Sequence, residues 1–147
     1  MNAAVLGVTA VSLRVFPNIA VATHHGSAVL PVVMAAIGGA ESTFGKFTAG
    51  PSAYVNCGGH GYYGVWQIAL GAHAEFLRNA VGSDSVCEWA TWLQRPLNNA
   101  YVAHAVYRSQ GLAAWQTYQS GAYLSYMADA QSAYHTLVLA MKAKAGL

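Results

Sequence analysis

The chain has 147 residues, of which 55% are hydrophobic and 8% charged, and a formal net charge of +2. That length suits one domain around a single sizeable core, and the few scattered Lys and Arg side chains form no stripe of the kind that binds nucleic acid. So little charge on so apolar a chain also fits a surface partly covered by further copies or by other proteins.

The first 22 residues are mostly apolar and end in Ala20-Val21-Ala22, which has the small-x-small look of a signal-peptidase site. No Lys or Arg precedes them, Arg14 interrupts them and Pro17 breaks them. They read as an ordered N-terminal strand or arm over 1–26, and not as a leader or a membrane span of about 20 apolar residues. The domain is then expected over 27–147. Ser27 is placed to cap a helix, Pro31 falls in its first turn, and Val32 to Ala40 propagate it, apolar nearly all round and so buried. Glu41 stands at its end, and Gly38-Gly39 would admit another backbone closely. From Gly45 to Gly61 the composition turns to Gly, Pro, Thr, Ser and Asn, which predicts a loop or short hairpin forming a small lobe beside Glu41.

Gln67 to Ala80 reads as a helix stopped at Gly82, and Ser85-Val86-Cys87-Glu88 as a capping box opening a helix through Leu93. Pro96 opens another, which Gly111 ends. Tyr123, Met127, Ala130, Tyr134, Leu137 and Met141 recur at spacings of four and three, a core stripe on a last long helix. The expected fold class is mainly α, with a small loop or β-hairpin lobe and an acidic side chain at a buried helix end.

Glu41 is the residue with the clearest chemical promise. A carboxyl in apolar surroundings holds its proton toward neutral pH, as an acid that protonates a leaving oxygen must. The glycine-spaced aromatic segment Gly61-Tyr62-Tyr63-Gly64-Val65-Trp66-Gln67-Ile68 offers flat rings for pyranose faces, and Gln67 can both donate to and accept from an acetamido group. Tyr62, Tyr63 and Trp66 there, and Trp115, Tyr118 and Tyr123 downstream, serve sugar contact or core packing with equal ease. Ser42 is expected to hold Glu41 or the helix end.

A second carboxylate would stand roughly 6.5–9.5 Å away in an inverting glycosidase and roughly 5–5.5 Å away in a retaining one. Only Glu75, Asp84, Glu88 and Asp129 remain, none of them between Glu41 and Gln67. Glu75 is the leading candidate, against a solvated place on its helix. Cys57 and Cys87 allow one disulfide or two buried thiols, and no four-ligand metal site. His24, His25, His60, His73, His104 and His135 lack the i, i+4 spacing of metal ligands and read as surface or hydrogen-bonded groups, with His60 alone beside the aromatic segment. No metal or cofactor is called for.

Glu41-Ser42, Gly61-x-x-Gly64-Val65-Trp66-Gln67-Ile68, Asn98-Asn99-Ala100 and Ala113-Ala114-Trp115-Gln116-Thr117-Tyr118-x-x-Gly121-x-Tyr123, in that order, resemble the lysozyme-like fold of soluble lytic transglycosylases and goose-type lysozymes. The likeness spans about Leu30 to Tyr134, and its Trp-x-x-Tyr-x-x-Gly-x-Tyr version is similar to lysozyme-like modules of bacteriophages and actinobacteria. The resemblance implies Glu41 as catalytic acid and a sugar cleft along the second motif, where Val65 and Trp66 replace the usual Leu and Met. The family's tyrosine beside the glutamate has two counterparts here, Trp115 at the aligned position and Tyr118 one turn later. The implied substrate is the β-1,4 bond between N-acetylmuramic acid and N-acetylglucosamine in a peptidoglycan strand. With no second carboxylate, a lytic transglycosylase, in which Glu41 acts first as acid and then as base on the sugar's own 6-hydroxyl, is favoured over a hydrolase whose water is held by neutral groups; a non-catalytic lysozyme-like component of a phage particle is the other reading. The expected setting is a phage lysin or virion-associated module, ahead of a secreted or periplasmic bacterial enzyme, with self-association or virion neighbours as further partners.

Overall fold

A computed structural model describes residues 2–46 and 61–146, and the fold is mainly helical with two small two-stranded sheets. Helix α1 runs Ala3–Val15, capped by the Asn2 side chain accepting from the Ala4 amide. Strands β1 (Ala20–Thr23) and β2 (Gly26–Val29) form an antiparallel hairpin that leads directly into α2 (Leu30–Ser42). After the undescribed residues come the two-residue strands β3 (Tyr62–Tyr63) and β4 (Ile68–Ala69), a 3-10 turn at Gly71–His73, and helices α3 (Ala74–Val81), α4 (Val86–Leu93) and α5 (Pro96–Gln110). A 3-10 turn at Leu112–Ala114, the short helix α6 (Gln116–Gln119) and a second such turn at Ala122–Tyr126 lead to α7 (Met127–Lys144).

Helix α2 is the central post. Every residue from Leu30 to Gly39 is buried, which its all-round apolar sequence demands, and α1, α7 and the 122–126 turn pack around it. The N-terminal segment corrects the expected strand or arm. Val5, Val8, Thr9 and Ser12 follow a helical period, and α1 lays them on α2, α5 and α7, with Val5 and Val8 in the core. Arg14 falls in the last turn, where a cation suits the helix dipole, and Pro17 lies just beyond, so both residues mark a helix end.

Ser27, expected as a cap, sits inside β2; Val29 caps α2 without a side-chain bond, while Pro31 does occupy the first turn. Gly38 and Gly39 do permit close approach, but of side chains. A methyl on Gly38 would lie 2.7 Å from Val65, and one on Gly39 would lie 2.6 Å from Tyr126.

The single helix expected from Gln67 to Ala80 is divided. Gln67 is left-handed at φ 49°, β4 and a 3-10 turn follow, and α3 begins only at Ala74. Its stop is as expected, with Gly82 at φ 73° receiving the chain. Helix α4 is capped by Ser85, whose hydroxyl accepts from the Glu88 amide at 3.3 Å, and α5 opens at Pro96 and ends before Gly111, as those residues predict. On the last stripe Tyr123 and Ala130 are buried, but Met141 is 59% exposed because α7 outruns the body it packs on.

Candidate active site

The end of α2 is held to the aromatic segment by Ser42 and Asn99. Ser42 is buried, and its hydroxyl lies 2.8 Å from the Val65 carbonyl and 3.1 Å from that of Gly38 while accepting from the Gly45 amide at 2.9 Å. Asn99, fully buried on α5, accepts from the Trp66 amide at 2.9 Å and donates to the carbonyls of Tyr63 (2.8 Å) and Leu93 (2.9 Å). Gly64 turns between them at φ 80°, where a methyl group would strike Asn99 and the Leu93 carbonyl. Thr43 and Phe44 take left-handed conformations (φ 52° and 55°), which turn the chain immediately after the helix.

These restraints fix the positions of Glu41, Tyr62 and Gln67, neighbours of the clamped residues that line a cavity of about 540 Å³. Glu41 opens into it from α2, Tyr62 and Gln67 from the β3–β4 hairpin, His73 from the 3-10 turn, Gln110 from α5, and Trp115 and Gln116 from the start of α6. Glu41 is half-buried; burial raises its pKa above the usual carboxylate value, and a hydrogen bond donated by the Thr117 hydroxyl to Oε1 at 3.2 Å opposes part of that rise. The result is a carboxyl biased toward its protonated form and held by one neutral donor.

Of the sequence-derived candidates, Glu41, Tyr62, Gln67 and Trp115 therefore meet around one cavity. Gln67 also donates to the Gly64 carbonyl at 2.9 Å. Trp115 is 5% exposed, and its indole donates to the Trp66 carbonyl at 3.0 Å, so it offers the cavity an edge while its body stays in the core. The other candidates, Trp66, Tyr63, Ser42, Tyr118 and Tyr123, lie elsewhere. Trp66 is fully buried and donates to the Met34 carbonyl at 2.7 Å; Tyr63 is 2% exposed; and Ser42 serves as a clamp. Because side chains alternate along the β3 strand, only Tyr62 of the adjacent tyrosines points outward, at 56% exposure.

Tyr118 stacks on Tyr123 with centroids 5.0 Å apart and donates to the Ala22 carbonyl at 2.9 Å. It borders a separate depression with Thr23 and His24. Of the two rings proposed to stand beside Glu41, Trp115 shares its cavity and Tyr118 does not.

No protein-family model matches the chain, and no curated protein or solved structure matches it. The chemistry of the site rests on its own geometry.

All four other acidic side chains stand outside the cavity. Glu75 is exposed on α3, Asp84 pairs with Arg78 at 2.6 Å, Glu88 lies in the first turn of α4, and Asp129 in the first turn of α7. Since the chain carries five Asp and Glu in all, Glu41 is the one acidic side chain at this cavity. Among the described residues no His, Cys, Asp and Glu cluster could hold a metal ion, and no helix is long and apolar enough to cross a membrane. Cys87 is in a disulfide; its sequence-proposed partner Cys57 and the candidate His60 lie outside the described residues.

Thr117 and His73 escaped the sequence reading. Thr117 lay inside a motif singled out for its rings, and a threonine among aromatics carries no signal of its own. His73 follows Gly71 in a segment read as continuous helix, and only the observed turn brings it to the cavity wall.

Proposed function

We propose that the protein cleaves the β-1,4 bond between N-acetylmuramic acid and N-acetylglucosamine in peptidoglycan, with Glu41 as general acid on a lysozyme-like scaffold. The observation that carries this reading is a solitary carboxyl, biased toward its protonated form, opening into a cavity with an aromatic edge and several carboxamides. Glycosidic cleavage needs a proton delivered to the leaving oxygen as positive charge grows on the ring, and a carboxyl whose pKa is raised by burial keeps that proton to higher pH. Gln67, Gln110 and Gln116 can pair with acetamido and hydroxyl groups, while Tyr62 and Trp115 offer ring surface.

The solitude of Glu41 favours a lytic transglycosylase, in which the sugar's own 6-hydroxyl closes on C1 and no second carboxylate is required. A hydrolase with neutral water-positioning groups is the runner-up. The setting that goes with this reading is a phage lysin or a virion-associated module that opens the cell wall. Clearing of purified peptidoglycan by the wild type, lost in Glu41→Gln, is the expected result; equal clearing by both, or none by the wild type, would refute the enzyme reading. Released fragments lighter by one water than hydrolysis products mark the transglycosylase, and fragments with ordinary reducing ends would sink it.

A further inference from the structure

The cavity contains a base as well as an acid. His73 closes the 3-10 turn between β4 and α3, half-buried where it lines the same cavity as Glu41. Its ring has no hydrogen-bond partner among the described residues. Histidine rings that stabilise a fold are usually fixed by such a partner, as His24 is by the Tyr123 hydroxyl at 2.9 Å. A ring left open on a cavity wall is available to a ligand.

The groups around it leave little else to move a proton. Facing the cavity from α2 is Glu41 and from β3 Tyr62; α5 contributes Val106 and Gln110, and 114–116 contribute Ala114, Trp115 and Gln116, all uncharged. On the neighbouring α3, Glu75 is exposed and outside the wall. Burial lowers the pKa of His73 just as it raises that of Glu41. Burial thus acts on the two in opposite senses on the pKa scale, favouring the neutral form of each.

Resting on the glycan-cleaving reading above, we propose that His73 is the base that takes the proton from the attacking oxygen, so that Glu41 and His73 act as an acid–base pair across the scissile bond. Glu41 gives its proton to the glycosidic oxygen as the bond from C1 to that oxygen breaks, and the departing sugar leaves with a hydroxyl. The 6-hydroxyl oxygen forms the new bond to C1 while its proton passes to the free imidazole nitrogen. The site is left with a carboxylate and an imidazolium, and proton return from His73 to Glu41 through solvent restores both. In the hydrolytic runner-up a water takes the place of the 6-hydroxyl and the proton accounting is unchanged.

The test is the pH dependence of purified peptidoglycan cleavage by the wild type, His73→Gln, His73→Ala and Glu41→Gln, each checked for folding by circular dichroism. The wild-type rate should rise as one group titrates and fall as the other does. Both His73 variants should lose about 10²- to 10⁴-fold in kcat with little change in KM, and one limb of the profile should vanish. Glutamine can hydrogen-bond but cannot take the proton, so a near wild-type rate in His73→Gln overturns the proposal even if His73→Ala is inactive. Full activity in His73→Gln with an inactive Glu41→Gln removes His73 alone; full activity in Glu41→Gln removes the underlying reading. Should the His73 variants not fold, NMR titration of the His73 ring in the wild type decides: its pKa should match the midpoint of the rising, low-pH limb of the cleavage profile, and a ring that titrates elsewhere overturns the proposal.

Discussion

Asn99 offers the sharpest test of how the fold builds this cavity. Asn99→Ala removes one acceptor and two donated bonds from a fully buried site, taking the Asn99 side chain away from the Trp66 amide and the Tyr63 and Leu93 carbonyls. Each buried bond lost costs about 1–3 kcal/mol, and with partial relaxation or entry of a water the sum is roughly 3–6 kcal/mol. That is a large share of the roughly 5–15 kcal/mol available to a domain, and it corresponds to a fall in Tm on the order of 10–20 °C. Asn99→Asp should be no better, because it keeps the acceptor but turns oxygen lone pairs toward two carbonyls. Urea titration followed by circular dichroism gives the number, with Asn98→Ala as internal control. Asn98 donates a single part-buried bond to the Trp92 carbonyl at 3.0 Å, and its loss should cost about 1 kcal/mol or less. A change below about 1 kcal/mol in Asn99→Ala would refute the claim that this side chain holds the aromatic segment in place.

Three further outcomes are expected. Thr117→Val removes the bond that favours the charged carboxyl, so the pKa of Glu41 should climb further and the high-pH limb of peptidoglycan cleavage should move upward; a limb that stays or moves down would contradict the assignment. Because the folded-state pKa of Glu41 is raised, the unfolded chain ionises first as pH increases from about 4, and this residue withdraws stability on the alkaline side. Glu41→Gln should therefore be more stable than wild type at pH 7 and lose that advantage by about pH 4, as thermal unfolding at the two pH values would reveal. Gly39→Ala presses a methyl against Tyr126 and Phe44 and should cost about 1–3 kcal/mol by overpacking, whereas Gly82→Ala meets no neighbour and pays only for its left-handed backbone.

Local chemistry made several elements legible. Ser85, Gly82, Pro96 and Gly111 each constrain the backbone through their own side chain or lack of one, and the ends of α3, α4 and α5 follow them. Helix α1 is not legible in the sequence although its buried positions keep a helical period, because a run apolar on most sides fits an ordered strand or arm as well as a helix, and Arg14 with Pro17 interrupts it. The division at Gln67 was hidden because a left-handed glutamine is stabilised by its surroundings, here the Gly64 carbonyl. Glu41 could be found from the apolar run before it. His73 and Thr117 could not, since each reaches the cavity through contacts between elements distant in sequence.

The position of Glu41 in the last turn of α2 places its carboxyl at the negative end of a 13-residue helix. Carbonyl groups that run out of amide partners there oppose a second negative charge by roughly 0.3–1 kcal/mol, in the same direction as burial. The dipole contribution is weakened by salt and the burial contribution is not, so the acidity of Glu41 should carry a component tuned by ionic strength. In dilute medium the helix helps Glu41 keep its proton, and in brine it helps less.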